Sequence, residues 1–76
     1  MKADESDLLK NIAMRGEKLY PAVMRIVYDL SMPTKRARYI LGKWADKNWY
    51  EYGTSIFFGW LTPEGFNQSK KVKNNV

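Results

Sequence analysis

The chain has 76 residues, 45% of them apolar, and a net charge of +5, which suits one small folded domain rather than a disordered chain. It contains no cysteine and no histidine, which excludes disulfides and thiolate metal sites and removes the commonest general base and zinc ligand, so neither an enzyme nor a cofactor is expected. No apolar run reaches the ~20 residues that span a membrane, and the amino terminus lacks an apolar signal core, so we expect a cytoplasmic protein.

The first half of the chain predicts two helices. Residues 5–15 carry an apolar stripe at helical spacing behind an acidic start, and Gly16 is expected to end this helix. A second helix is expected to begin near Pro21 and to end by Ser31, because Pro33 disfavours a helical conformation in the residue before it. The apolar face of the second helix comprises Leu19, Val23, Ile26, Val27 and Leu30.

Residues 34–47 predict a third helix that is strongly basic. Residues 34–48 hold five cations against Asp46 alone, whereas residues 1–33 carry no net charge. On a helical wheel the apolar side comprises Ala37, Ile40, Leu41 and Trp44. The opposite side centres on Lys35, Tyr39, Gly42 and Asp46, with Arg36, Arg38 and Lys43 beside it. Such a concentration of positive charge is typical of a protein that binds a polyanion.

The composition changes to strand-forming residues at Trp49. Residues 49–52 and 56–61 predict the two strands of a hairpin, joined by a short turn at 53–55. Gly59 indicates either a bulge or a close approach of two backbone segments.

The last residues predict the end of the fold and a tail. Thr62-Pro63-Glu64-Gly65 indicates a capped turn that closes the domain. We expect one domain over residues 1–66 and a flexible basic tail over residues 67–76. The expected fold class is mainly α with a C-terminal β-hairpin (α+β).

The joint between the second and third predicted helices carries a spaced series of apolar and turn residues. The series runs Ile26, Val27, Leu30, Met32, Ala37, Leu41 and Asn48. With the hairpin that follows, it resembles the winged helix-turn-helix family over roughly residues 5–65. The resemblance implies a three-helix winged helix-turn-helix fold, double-stranded DNA as the partner, and the helix at 34–47 as the recognition helix.

Part of the third helix suggests a narrower resemblance. Ala37-Arg38-Tyr39 followed by Leu41 is similar to the recognition helix of small bacterial pilus-operon regulators, which control phase variation. Those regulators carry an arginine-rich wing, whereas this hairpin contains Glu51 and no basic residue. Phage excisionases and accessory recombination factors are similar in size and fold. The resemblance therefore implies a nucleoid-associated protein of bacterial or phage type that acts in transcription regulation or in excision.

Side chains on the third helix are suited to the major groove of DNA. Arginine can bind guanine through two hydrogen bonds, and lysine can neutralise a phosphate. The candidate DNA-binding residues are Thr34, Lys35, Arg36, Arg38, Tyr39 and Lys43. Gly42 either permits close approach of a DNA backbone or relieves crowding beside Trp44, at a cost of about 1 kcal/mol relative to alanine.

The aromatic hairpin supports an alternative function. A two-stranded sheet covers the helices with one face only, so some of its aromatic side chains should be exposed, and exposed aromatic patches often mark interfaces. The candidate partner-interface residues are Tyr50, Tyr52, Phe57, Phe58 and Trp60, while Trp44 and Trp49 are expected in the core. Under this alternative the hairpin at 49–61 holds a second copy or another protein, without DNA binding. No small-molecule substrate is evident, because Asp29, Glu51 and Glu64 form no recognisable catalytic pair.

Overall fold

The first helix is an amphipathic element with an acidic start. In the computed structural model, which describes residues 1–72, α1 spans Ala3–Arg15. Asp4 and Glu5 occupy its first turn, where carboxylates are favoured by the positive end of the helix dipole. Gly16 ends the helix with a φ of 76°, a conformation that suits glycine, and the predicted end of α1 is confirmed.

The second helix is shorter than predicted. α2 spans Val23–Asp29 and begins at Val23 rather than near Pro21, because Ala22 has an extended backbone with a ψ of 154°. Leu19, predicted on its apolar face, precedes the helix and is exposed, which corrects that prediction.

The turn after α2 leads directly into the third helix. The Ser31 N–H donates to the Tyr28 carbonyl (3.0 Å) and the Met32 N–H donates to the Val27 carbonyl (3.1 Å). Together with the positive φ of 55° at Ser31, these bonds form a Schellman motif, which satisfies the last carbonyls of the helix. Met32 packs partly buried against the core, so the turn is fixed on its apolar side.

The third helix, α3, spans Thr34–Asp46 and buries the predicted apolar side, Ala37, Ile40, Leu41 and Trp44. It ends in a second Schellman motif, in which the Trp49 N–H donates to the Trp44 carbonyl (2.8 Å). Asn48 supplies the left-handed residue with a φ of 64°, which asparagine tolerates better than most side chains. The chain therefore reverses into the hairpin at a fixed angle.

The hairpin is present but its strands are shorter than predicted. β1 (Tyr50–Tyr52) pairs antiparallel with β2 (Gly59–Leu61), with Tyr50 opposite Leu61. Residues 56–58, predicted as strand, lie in the connecting loop. The Phe58 N–H donates to the Ser55 carbonyl (3.0 Å), and the buried Tyr50 hydroxyl donates to the Ile56 carbonyl (2.6 Å), so these bonds close the loop instead of extending the ladder.

Gly59 lies where two backbone segments approach closely. A Cβ atom there would collide with the Glu51 carbonyl and the Tyr50 ring. Its own carbonyl accepts a hydrogen bond from Arg15 Nη2 (2.8 Å). Of the two alternatives considered for Gly59, the structure shows the close approach.

A fourth helix follows the hairpin where a capped turn was predicted. α4 spans Pro63–Lys70, so residues 67–70 of the predicted tail are helical, and residues 73–76 lie outside the described residues. Thr62 caps the helix by accepting from the Gly65 N–H (3.0 Å) and donates to the Asn48 carbonyl (2.6 Å). A threonine cap followed by proline favours a helix start, and Phe66 packs against the core.

Residues 1–72 thus form four helices and one two-stranded antiparallel sheet, as the predicted mainly helical class with a C-terminal hairpin requires. α1 packs against α2, α4 and β2, and α3 packs against β1. The buried side chains shared by these elements include Leu8, Leu9, Ile12, Val23, Val27 and Trp44. None of the helices in this part of the chain is long and apolar enough to cross a membrane.

Candidate nucleic-acid interface

The six candidate DNA-binding residues all lie on α3, but they do not share one environment. Because the apolar side of α3 is buried, the opposite side forms an outer face, defined here as Lys35, Arg38, Tyr39, Gly42 and Asp46. Lys35, Arg38 and Tyr39 are exposed on this face. Arg36 and Lys43 lie between the outer face and the core, on the side of α3 that meets α1.

Arg36 is held by the start of α1. Its Nε donates to Asp4 Oδ2 (2.8 Å) and its Nη2 donates to Asp4 Oδ1 (3.0 Å), which is the two-pronged geometry that guanidinium groups form with carboxylates. The Arg36 hydrogen bond lowers the pKa of the Asp4 carboxyl from 3.8 to about 2. The same bond raises the pKa of Arg36. The guanidinium fork predicted to bind DNA is therefore occupied within the protein.

Lys43 is held by the next residue of α1. Its Nζ donates to Glu5 Oε1 (2.8 Å), while Trp44 Nε1 donates to Glu5 Oε2 (2.8 Å). Glu5 is buried, with 3% of its surface exposed. Burial raises the pKa of its carboxyl, but the hydrogen bonds from Lys43 and Trp44 outweigh burial, so the pKa is lowered overall. Lys43 thus neutralises a buried carboxylate that fixes α1 to α3.

Two other cations of α3, and Lys47 at its C-cap, remain available. Among residues 1–72, Lys35, Arg38 and Lys47 form no ion pair. The Arg38 guanidinium lies over the Phe57 ring at 5.6 Å, and the Lys47 ammonium lies over the Trp49 ring at 4.8 Å. Contacts with aromatic rings leave hydrogen-bond donors of these cations free to meet phosphate or base oxygens.

The Tyr39 ring lies beside both of the cations that α1 holds. Its ring has the Arg36 guanidinium at 5.8 Å and the Lys43 ammonium at 5.7 Å, and 61% of its surface is exposed. These contacts restrict the ring near the middle of the outer face. Its hydroxyl can donate to or accept from a ligand.

The N-terminus of α3 adds donors to the same face. No side chain caps it. Its first turn also contains no acidic residue, whereas the first turns of α1 and α4 do. The first N–H groups of a helix lack intrahelical acceptors and carry partial positive charge. Thr34, exposed in this turn, adds a hydroxyl.

Gly42 lies in open space. A Cβ atom at this position would meet nothing within 4 Å, so crowding beside Trp44 does not explain the glycine. A groove of about 520 Å³ runs past it, lined among others by Arg38, Tyr39 and Asp46 of α3 and by Tyr52 of β1.

The aromatic residues predicted for a partner interface divide between core and surface. Tyr50 and Phe57 are buried and belong to the core, which corrects their assignment to an exposed surface. Burial raises the pKa of the Tyr50 hydroxyl. Tyr52 and Phe58 are exposed at 42% and 57%, and Trp60 is half-buried with its Nε1 donating to Glu51 Oε2 (3.2 Å). Trp44 is buried and Trp49 packs partly buried, as expected.

A different apolar patch lies where α2 meets the hairpin loop. The Met24 N–H donates to the Phe57 carbonyl (3.2 Å), which brings Phe58 beside α2. The apolar patch consists of Ala22, Met24, Tyr28 and Phe58, around a groove of about 540 Å³ with Arg25 at its edge. Tyr28 is 78% exposed. Met24 and Tyr28 were not among the predicted interface residues, although their i, i+4 spacing places them together on the side of α2 away from Val23 and Val27.

Comparisons with family models, with curated proteins and with solved structures found no match to this chain.

Proposed function

We propose that this chain is a winged helix-turn-helix protein that binds double-stranded DNA through the outer face of α3. The observation that carries the proposal is a set of three cations that form no ion pair among residues 1–72, Lys35 and Arg38 on the outer face of α3 and Lys47 at its C-cap, while the opposite side of α3 is buried. A helix held in this way can enter the major groove as a rigid unit.

The order of elements is consistent with this role. α2 and α3 are joined by a short turn with fixed hydrogen bonds, and the hairpin follows α3 directly. In this proposal α3 is the recognition helix and the hairpin is the wing. A domain of this kind serves as a small transcriptional regulator or as an accessory factor in recombination or excision, since both tasks use the same contact.

The wing makes a smaller contribution to affinity than α3. Tyr52 is the exposed aromatic of β1, and residues 49–66 contain no lysine or arginine, so the wing cannot neutralise phosphates. Because phosphate contacts supply much of the affinity for DNA, we expect one copy to bind weakly. Two copies on adjacent half-sites would bind more tightly.

The decisive experiment is selection of bound fragments from random duplex DNA, followed by a salt titration of the affinity for the selected duplex. Three phosphate contacts predict that log K falls with log salt with a slope of about −3. A variant with Lys35, Arg38 and Lys47 each replaced by Gln should lose most of this dependence. The matched control is Lys18→Gln, which removes an exposed cation between α1 and α2 and should leave the slope unchanged. Absence of selection, or a slope near zero, would overturn the proposal.

The apolar patch favours a second candidate function, a protein-interaction module. Met24, Tyr28 and Phe58 expose apolar surface that neither the core nor the outer face of α3 uses. Under this alternative the patch holds a second copy of the chain. Sedimentation equilibrium of the wild type and of the Tyr28→Ser variant tests it. A dimer that Tyr28→Ser dissociates supports the alternative, whereas a monomer at all concentrations contradicts it.

A further inference from the structure

Gly42 is a helical glycine that neither its backbone conformation nor its packing requires. Gly16 has a positive φ, and a Cβ atom at Gly59 or Gly65 would collide with backbone atoms. Gly53 is also in open space, but it lies in a loop, where glycine carries little cost. Gly42 lies inside α3, where glycine is less favourable than alanine because it loses more backbone freedom on folding.

The missing side chain uncovers a defined part of the helix. A helical side chain leans toward the N-terminus and covers the turn before its own Cα atom. The area uncovered at Gly42 therefore lies toward Arg38 and Tyr39, one turn earlier, and away from the carboxylate of Asp46. The groove between α3 and β1 runs over this area, with Tyr52 on its far side.

The groove is lined by two cations, Arg38 and Lys43, and by one carboxylate, Asp46, so positive charge is in excess. Arg38 forms no ion pair among residues 1–72, so its guanidinium can pair with an anion at this point. Lys43, the next residue after Gly42, has its ammonium held by Glu5, 2.8 Å away. An anion near Gly42 is therefore bound by Arg38 rather than by Lys43.

We propose that one sugar–phosphate strand of the DNA duplex contacts the backbone of α3 at Gly42. The strand passes over the bare backbone of α3 at Gly42, and Arg38 pairs with the phosphate next to it. This inference rests on the proposed function. It adds that the sugar–phosphate backbone, rather than a base edge, approaches α3, and that it does so at Gly42. A side chain at position 42 would push the strand away from Arg38.

The proposal predicts opposite effects of Gly42→Ala on folding and on binding. Alanine meets no neighbouring atom and is a better helix former, so the variant should unfold at a higher urea concentration than the wild type. Its affinity for the selected duplex should fall about tenfold, because the added methyl group displaces the strand. The matched control is Asn11→Ala on α1, beside α2, which also replaces an uncharged helical residue by alanine but lies away from the outer face of α3, and it should leave the affinity unchanged.

A scan of neutral methylphosphonates along the selected duplex locates the strand. Neutralising one particular phosphate should lower the affinity of the wild type. The same replacement should leave the affinities of the Gly42→Ala and Arg38→Gln variants unchanged. An unchanged affinity of Gly42→Ala would overturn this inference and leave the proposed function intact. A tenfold loss with an unchanged methylphosphonate profile would also overturn it, since the glycine would then face a base. Failure of the wild type to bind any duplex would overturn the proposed function and this inference together.

Discussion

The cations of α3 fall into two groups that differ in what surrounds them. The inner pair, Arg36 and Lys43, faces α1 and is bound to Asp4 and Glu5 at distances of 2.8 Å. The outer cations, which are Lys35 and Arg38 on the outer face and Lys47 at the C-cap, form no ion pair among residues 1–72. Successive residues on a helix differ in direction by about 100°, so Arg36 and Arg38, two residues apart, differ by about 200°. Arg36 and Arg38 are therefore separated in role by their direction alone, although both are arginines on the basic helix.

The difference shows how the helix keeps its orientation. The inner pair joins α3 to the start of α1, which lies more than thirty residues earlier in the chain. Because these ion pairs fix the orientation of α3, the helix does not turn its outer cations toward carboxylates of the same chain, and they stay exposed. If this division is correct, changes in the inner pair and its carboxylates act mainly on stability, and changes in the outer cations act mainly on DNA affinity.

The largest effect on stability is expected at Glu5. Glu5→Ala leaves the buried Trp44 Nε1 without its acceptor and Lys43 without its partner, so the free energy of unfolding should fall by about 2–3 kcal/mol. Urea denaturation measures this loss. Asp7→Ala on the exposed side of the same helix is the matched control and should have little effect. Equal losses in the two variants would show that Glu5 does not fix α1 to α3.

A smaller effect is expected at the arginines. Arg36→Gln breaks both hydrogen bonds to Asp4, so its urea midpoint should fall below that of the wild type. Arg38→Gln removes a contact with the Phe57 ring only, so its midpoint should fall less. The pair of variants removes the same charge from the same helix. A larger loss in Arg38→Gln would contradict the division into inner and outer cations.

The smallest effect is expected in the acid limb of the stability profile. The pKa of Asp4 is lowered in the folded protein, so its ionised carboxylate stabilises the fold above the ordinary value of 3.8. This stabilisation is lost as the pH falls from 3.8 to about 2. Asp4→Asn lacks it at every pH, so the urea midpoints of the variant and the wild type should converge across this interval. A constant difference between them down to the lower limit would show that the Asp4–Arg36 pair does not stabilise the fold.

Sequence patterns were sufficient for the parts of the fold that depend on local spacing. The end of α1 at Gly16 and the buried side of α3 follow from helical periodicity and turn chemistry. The start of β2 at Gly59, rather than at residue 56, could not be predicted in the same way. Phe57 has a strong strand preference, but it enters the core from a loop that the Tyr50 side chain closes by a hydrogen bond to the Ile56 carbonyl.

The helical wheel predicted the exposed side of α3 but not the ion pairs beside it. All six predicted residues lie on α3, yet the sequence could not show that Asp4 and Glu5 would reach two of them, because those carboxylates come from residues more than thirty positions away. α4 was missed for a related reason. Its start at Thr62 and Pro63 was recognised, but its length depends on the packing of Phe66 against the core.

The division between inner and outer cations is tested most directly by the affinities of two variants for the selected duplex. Fluorescence anisotropy would compare Arg38→Ala with Arg36→Ala under conditions in which circular dichroism shows both to be folded. We predict that Arg38→Ala weakens binding and reduces the salt slope by about 1, because this outer arginine pairs with a phosphate, and that Arg36→Ala has a smaller effect on both. A larger loss in Arg36→Ala, with the affinity of Arg38→Ala unchanged, would contradict the assignment of the outer face of α3 as the DNA-binding surface.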